Sequence, residues 1–453
     1  MADDSPTIRI PTPATPGGQP PTGDGAPPPG VPPAGSPPPP GGPGGRRRLP
    51  LSAIVAIAVV GAILVVTWRP MIPPSSTPSP SGSAAVVDTP SPTTSSTETA
   101  TAEPTPSVSV SPTPTPPPPR PVDEFLLMPK ATFMALPTSG RAWEALRFVA
   151  DEPAGLPDLR DQDDRHGVIT LASALVYART GDTAYAERAR SQIMAAIGTE
   201  QVGADNSILS LGRQLGAYVL AADFIGLSGP DDQRFRDWLT TIRTRELGGH
   251  GRWRSLVGTH EDAPNNWGSF TGASRIAASL YLQDMEDVAR AAQVLRGFLG
   301  DRDAYAGFQD VEGARSWACE PERYTPVNPP CIRGGIDLDG AIVRDIDRGG
   351  NRKWPPGRDG IGYTLESLQG LTLQAELLTV NGFGDAWSWS DQALRRAADV
   401  VTRSGDAGGT TWNRSDVSYH VPWLLNARYG LDLPTEPAGF GRVFGYTDWL
   451  YGT

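Results

Sequence analysis

The sequence predicts an all-α domain over residues 123–453, built from helical pairs joined by short loops. Apolar residues recur at helical spacing through most of this stretch, and turn signals fall between the runs. Paired helices of this kind form a closed toroid or an open solenoid. No fixed period of the tetratricopeptide or ankyrin type is present.

The chain ahead of that domain divides by composition. Residues 1–48 are mostly Pro, Gly, Ala and Thr up to Arg46-Arg47-Arg48, with almost no large apolar side chain. Such a segment cannot bury enough surface to offset its chain entropy, and it reads as a disordered tail. Residues 49–69 hold an uncharged run, Leu51 to Trp68, rich in Ile, Val, Ala and Leu. Its length is near the lower limit for a single membrane-spanning helix. The three arginines before it assign the tail to the cytoplasm and the rest of the chain to the far side of the membrane. A cleaved signal peptide is the rival reading, but it would need a very long leading region, and no small-x-small site follows Trp68. Residues 70–122 are rich in Pro, Ser and Thr and read as an extended stalk.

Within 123–453 the helices follow in order. In 165–180, Ile169, Ala172, Leu175 and Val176 share a face, and Gly181-Asp182 ends the helix. Residues 183–197 carry Tyr185, Ala189 and Ile193. Residues 207–226 carry Ile208, Leu211, Leu215, Tyr218 and Ala222. Gly229-Pro230-Asp231-Asp232 opens a helix reaching about 246. Another starts at Asn265-Asn266 and shows Phe270, Ala273, Ala277 and Leu280. Further runs cover 285–299, 362–380, 390–403 and about 418–429. The segment from about 301 to 361 is irregular and long for a compact helical domain. It is expected to cover a groove, with a few short strands. Cys319 and Cys331, the two cysteines of the chain, both fall in it, and under the assigned topology they are expected to form a disulfide. With no neighbouring His they do not suggest zinc.

The net charge of −11 argues against nucleic acid as a partner. An anionic ligand would need positive charge gathered locally. Arg333, Arg344, Arg348, Arg352, Lys353 and Arg358 supply such a cluster in the long segment, interleaved with Asp337, Asp339, Asp345 and Asp347.

The run with most chemical content is Ala263-Pro264-Asn265-Asn266-Trp267-Gly268-Ser269-Phe270. Two carboxamides at a helix start offer donors to a carboxylate, the helix end favours negative charge, and an aromatic ring can lie against a pyranose. This run resembles the Asn-Asn-His-Gly signature of the alginate lyase family, whose helical toroids cleave polyuronates by β-elimination. "LASALVYARTGDTAYAERAR" (171–190) is similar to that family's early helical pair, "GYTLESLQGLTLQAELL" (362–378) to its late helix, and "GRVFGYTDWL" (441–450) to its close. The resemblance covers most of 123–450. It implies an incomplete α/α toroid acting on an acidic polysaccharide or cell-envelope glycan, with no cofactor. It makes at least one of Asn265 and Asn266, with an arginine of the long segment, the group that neutralises the sugar carboxylate, the other being free to cap the helix.

The chain departs from the family at its proton-handling positions. Trp267 stands where the family has His, and an indole is no base. With Ser367-Leu368-Gln369-Gly370-Leu371 as anchor, Thr364 stands at a His position and Glu366 at a Tyr position. Tyr363 is one helical turn away and is the leading base candidate. His260, on the approach to the Asn pair, is a second. Arg348, Arg352 and Arg358 are candidates for the arginine that the family carries before its late Tyr. Trp267, Glu366 and His420 are expected to contact substrate. His166, beside Asp163 and Asp164, is a weaker groove candidate, and His250 carries little signal. Two further functions are open. One is a glycoside hydrolase using a carboxylate pair drawn from Glu261, Asp262, Asp310, Glu312 and Glu366. The other is a glycan-binding domain that kept the groove and lost the base.

Overall fold

The computed structural model describes residues 124–452 apart from 201–206, 249–250, 252, 310–313, 351, 413–419 and 436–440. The tail, the apolar run and the stalk assigned to 1–48, 49–69 and 70–122 lie outside the described residues, as do His250, Asp310, Glu312 and the side chain of His420. Among the described residues no helix is long and apolar enough to cross a membrane.

The described chain is mostly helical. Its helices are α1 (Lys130–Ala135), α2 (Arg141–Asp151), α3 (His166–Thr180), α4 (Thr183–Ala196), α5 (Ser207–Phe224), α6 (Gly229–Ile242), α7 (Leu256–Asp262), α8 (Asn266–Leu282), α9 (Met285–Phe298), α10 (Val343–Ile346), α11 (Arg358–Val380), α12 (Trp389–Asp406), α13 (His420–Tyr429) and α14 (Thr447–Tyr451). A two-stranded antiparallel ribbon, β1 (Ile332–Arg333) with β2 (Ile336–Asp337), lies in the long segment. The periodic runs became helices close to where the sequence put them. Local chemistry set several ends. Gly181 adopts the left-handed conformation after α3, and the Asp182 side chain then accepts from the Ala184 amide to start α4.

Packing order runs α2–α3–α5–α8–α11–α13–α14 and returns from α14 to α2. In this series α5 and α8 are buried on nearly every side, as an inner helix must be. The closest approaches depend on absent side chains. A Cβ on Gly370 of α11 would collide with the Ser269 backbone of α8, and one on Gly212 of α5 would press on Thr271. Hydrogen bonds cross the same contacts. Gln374 donates to the Ser269 carbonyl at 2.8 Å, and Ser274 donates to the Gly212 carbonyl at 2.8 Å. Arg213 follows Gly212, and Glu366 lies one turn before Gly370. The same glycine contacts therefore bring both charged groups to the start of α8.

The long segment is ordered by its own polar bonds. The disulfide Cys319–Cys331 closes it, with Cα atoms 6.0 Å apart. Asn328 donates to the carbonyls of Trp317 and Leu338, and Arg333 donates to the Ala318 carbonyl at 2.8 Å. Toward its end the segment forms α10, which packs on α11.

Candidate active site

The Asn pair splits its work. Asn265 is the N-cap of α8, where its Oδ1 accepts from the Trp267 amide at 3.1 Å, and it is fully buried. Of the pair, Asn265 is thus the capping residue, its side chain turned back onto the helix. Asn266 points the other way. Its Nδ2 donates to Glu366 Oε2 at 2.7 Å, although the residue itself is only 1% exposed.

Glu366 receives a second donor on the same oxygen. Arg213, buried on α5, forms an ion pair with Oε2 and donates from its other side to Gln162 at 3.0 Å. Burial lowers the Arg213 pKa, with Arg442 acting in the same direction and Glu366 opposing both. A guanidinium stays charged even so. The ring of Phe270 lies beneath it, 5.2 Å from the guanidinium carbon.

Beneath this pair sits Asp345 of α10, fully buried. It accepts from the Asn266 backbone amide at 3.3 Å and from the Ser367 hydroxyl. Burial pushes its carboxyl up to about 7. Arg348 and the two hydrogen bonds pull it down, and Glu366 adds to the rise. Asp345 thus ties the long segment to α8 and α11 at once.

Arg348 and Tyr363 are brought together. The guanidinium carbon stands 4.0 Å from the centre of the phenol ring, the Arg exposed and the Tyr half-buried. Tyr363 precedes Glu366 by one turn of α11, so both occupy one face. Asn266, Arg213, Glu366, Tyr363 and Arg348 therefore form one polar cluster at the start of α8. A cleft of about 330 Å³ lined by Asp301, Arg302, Arg323 and Thr325 lies on the loop after α9 and contains none of these side chains.

Other expected site residues are placed elsewhere. Trp267 is 4% exposed and stacks at a tilt on Trp253, 5.7 Å between ring centres. It packs in the interior and presents no face to a sugar. His260 is not on an open approach loop. It lies in α7, 2% exposed, with Nδ1 3.4 Å from Arg275 Nη1. Burial, reinforced by Arg275, depresses its pKa well below the usual histidine range, so it is neutral and sealed from any substrate. Arg352 is occupied as a brace, donating to the Ser316 carbonyl at 3.2 Å. Arg358 lies exposed at the first residue of α11. His166 is buried with Nδ1 2.7 Å from the Tyr218 hydroxyl. Among the hydrolase candidates, Glu261 is tied to Arg275 and Arg290 near α7 and does not face Glu366 among the contacts seen.

Arg213 of the cluster, and Asp345 that supports it, are not among the residues the sequence singles out. Arg213 is the only basic residue of the largely apolar α5, which is the sequence mark of the first. Asp345 was read as one of several partners for the loop arginines, and nothing local marked it as buried.

A comparison with protein-family models gives no match for this chain, and a comparison with curated proteins gives none.

Proposed function

We propose that residues 123–453 form an incomplete α/α toroid that cleaves an acidic, uronate-containing glycan by β-elimination, held outside the cell membrane by the span at 49–69 and the stalk at 70–122. The closed packing order of α2, α3, α5, α8, α11, α13 and α14 supports the toroid. The resemblance to alginate lyases supplies the reaction class.

The observation that carries the reading is the Arg348 guanidinium 4.0 Å above the Tyr363 ring. Elimination requires removal of the proton beside a sugar carboxylate, which becomes acidic once the carboxylate's charge is offset. The exposed Arg348 is the group to offset it. Tyr363 is then the proton-handling group. It takes part in breaking the carbon–hydrogen bond and protonating the leaving oxygen, while the electron pair forms the carbon–carbon double bond.

A second reading rests on a different observation. The Asn266 amide is engaged by Glu366 and so is not free for a substrate carboxylate. A domain that binds the glycan without cleaving it fits that arrangement. Incubating the protein with alginate, polygalacturonate and hyaluronan separates the two. Elimination yields an unsaturated uronate that absorbs in the ultraviolet. A binding domain retains the polymer and releases nothing.

A further inference from the structure

Glu366 has an asymmetric carboxylate. Arg213 Nη2 and Asn266 Nδ2 both converge on Oε2. Among the described residues Oε1 receives no hydrogen bond, and it is not among the enclosed polar atoms that lack a partner. The side chain keeps 12% of its surface open, against 4% for Arg213. One oxygen is thus anchored by two buried donors, and the other is offered at the surface of the cluster.

A rigid, ion-paired carboxylate with one open oxygen is a hydrogen-bond acceptor. It repels a second carboxylate and attracts a hydroxyl. On the same face of α11, three residues away (~4.5 Å along the axis), Tyr363 carries the exposed Arg348 guanidinium. The face therefore has an anionic pole and a cationic pole. A uronate ring has matching poles: a carboxylate on one side and ring hydroxyls on the other.

We infer that Glu366 is a specificity-determining residue whose Oε1 accepts a hydrogen bond from a ring hydroxyl of the bound sugar acid, turning the sugar so that its carboxylate meets Arg348. This rests on the acidic-glycan reading above but not on the cleavage step.

Substitution by glutamine makes the claim testable. Arg213 and Asn266 both donate, so a glutamine at 366 must turn its carbonyl oxygen toward them. That leaves its NH₂ at the open position. The acceptor becomes a donor with nearly unchanged shape.

The experiment measures equilibrium binding of oligomannuronate, and of the same oligomer O-acetylated on its ring hydroxyls, to the full chain and to its E366Q variant. For the unsubstituted protein, acetylation is expected to weaken binding about tenfold, the loss of one charge-assisted bond. E366Q is expected to weaken binding of the unacetylated oligomer by a similar factor, with no further loss on acetylation. The two changes remove the same contact and so are not additive. The acetylation arm uses the unsubstituted protein, so it stands even where E366Q folds poorly. Equal affinity for both oligomers, additive losses, or no binding of either oligomer by the unsubstituted chain overturns the assignment. Binding in the expected pattern with no unsaturated product removes the β-elimination reading and leaves Glu366 in this role.

Discussion

Asn266 at the start of α8 and Glu366 in the middle of α11 are a hundred residues apart in sequence, yet the amide of one donates to the carboxylate of the other at 2.7 Å. The contact joins two helices whose backbones meet at Gly370. It also fixes the orientation of a cluster that combines exposed cation, phenol and carboxylate. The Asn266 side chain faces Glu366 and its backbone amide faces Asp345, so replacing the side-chain amide with a carboxylate exchanges a donor to Glu366 for a second buried negative group. Asn266→Asp is expected to destabilise the domain by about 3–5 kcal/mol, the cost of an uncompensated buried charge. Asn266→Ala, which only removes the donor, is expected to cost about 1–3 kcal/mol. Urea denaturation of the two variants checks the order. Equal losses would show that Asp345 and Glu366 do not confine the site electrostatically.

Asp345 makes stability depend on pH. Its carboxyl is raised by burial to about 7, above the ordinary carboxylate range. The sign follows from linkage. A raised pKa gives stability that is full in acid and lost as pH climbs through the folded value. Asp345→Asn removes the ionisation and keeps the hydrogen-bond geometry. Its melting temperature relative to the unsubstituted protein should therefore rise between about pH 4 and about pH 7, across the window that the shift defines. Thermal melts at the two pH values test this, and parallel melting curves would contradict it. The groups facing Asp345 that bear on the result are Arg348, Glu366, Ser367 and the Asn266 amide.

Arg348 is exposed, so its removal should leave the fold intact. Arg348→Ala is expected to shift stability by no more than about 0.5 kcal/mol. Turnover on a uronate polymer should nevertheless fall at least ~10²-fold, since the cation offsets developing negative charge. Arg348→Lys keeps the charge but loses the planar stack on Tyr363, and its activity should fall between the two. Steady-state kinetics with a parallel melt distinguishes a site effect from unfolding.

The glycine at 370 has a packing role that kinetics and stability should report together. Gly370→Ala inserts a methyl group against the Ser269 backbone. The helices must separate, at an expected cost of about 1–3 kcal/mol. Because Glu366 lies one turn away, the Asn266 contact should lengthen as well. Loss of stability with unchanged sugar affinity would show that helix spacing and site geometry are independent.

The fold was largely legible because it rests on periodicity. The runs at 165–180, 183–197 and 207–226 became α3, α4 and α5 with ends displaced by no more than a few residues. Short helices were missed. Helix α7 carries too few turns to show a period, so the sequence does not mark His260 as a buried helical residue. The candidate site was legible only in part. Arg348, Tyr363, Asn266 and Glu366 were marked by charge and motif, and the structure brings them together. Trp267 and Asn265 follow the same motif but face inward, because adjacent residues at a helix start point in different directions. Arg213 stands on α5, a helix whose pattern is otherwise dominated by its apolar stripe. Its relation to Glu366 spans 153 residues, and no local pattern encodes a contact at that distance.

The most direct test is the ultraviolet absorbance of alginate, polygalacturonate and hyaluronan solutions incubated with the full chain and with its Tyr363→Phe variant. The account predicts that at least one polymer gains the absorbance of an unsaturated uronate with the unsubstituted protein. The gain should be abolished by Tyr363→Phe, with the variant's melting temperature unchanged. Polymer shortening without that absorbance, or equal absorbance from both proteins, would contradict it.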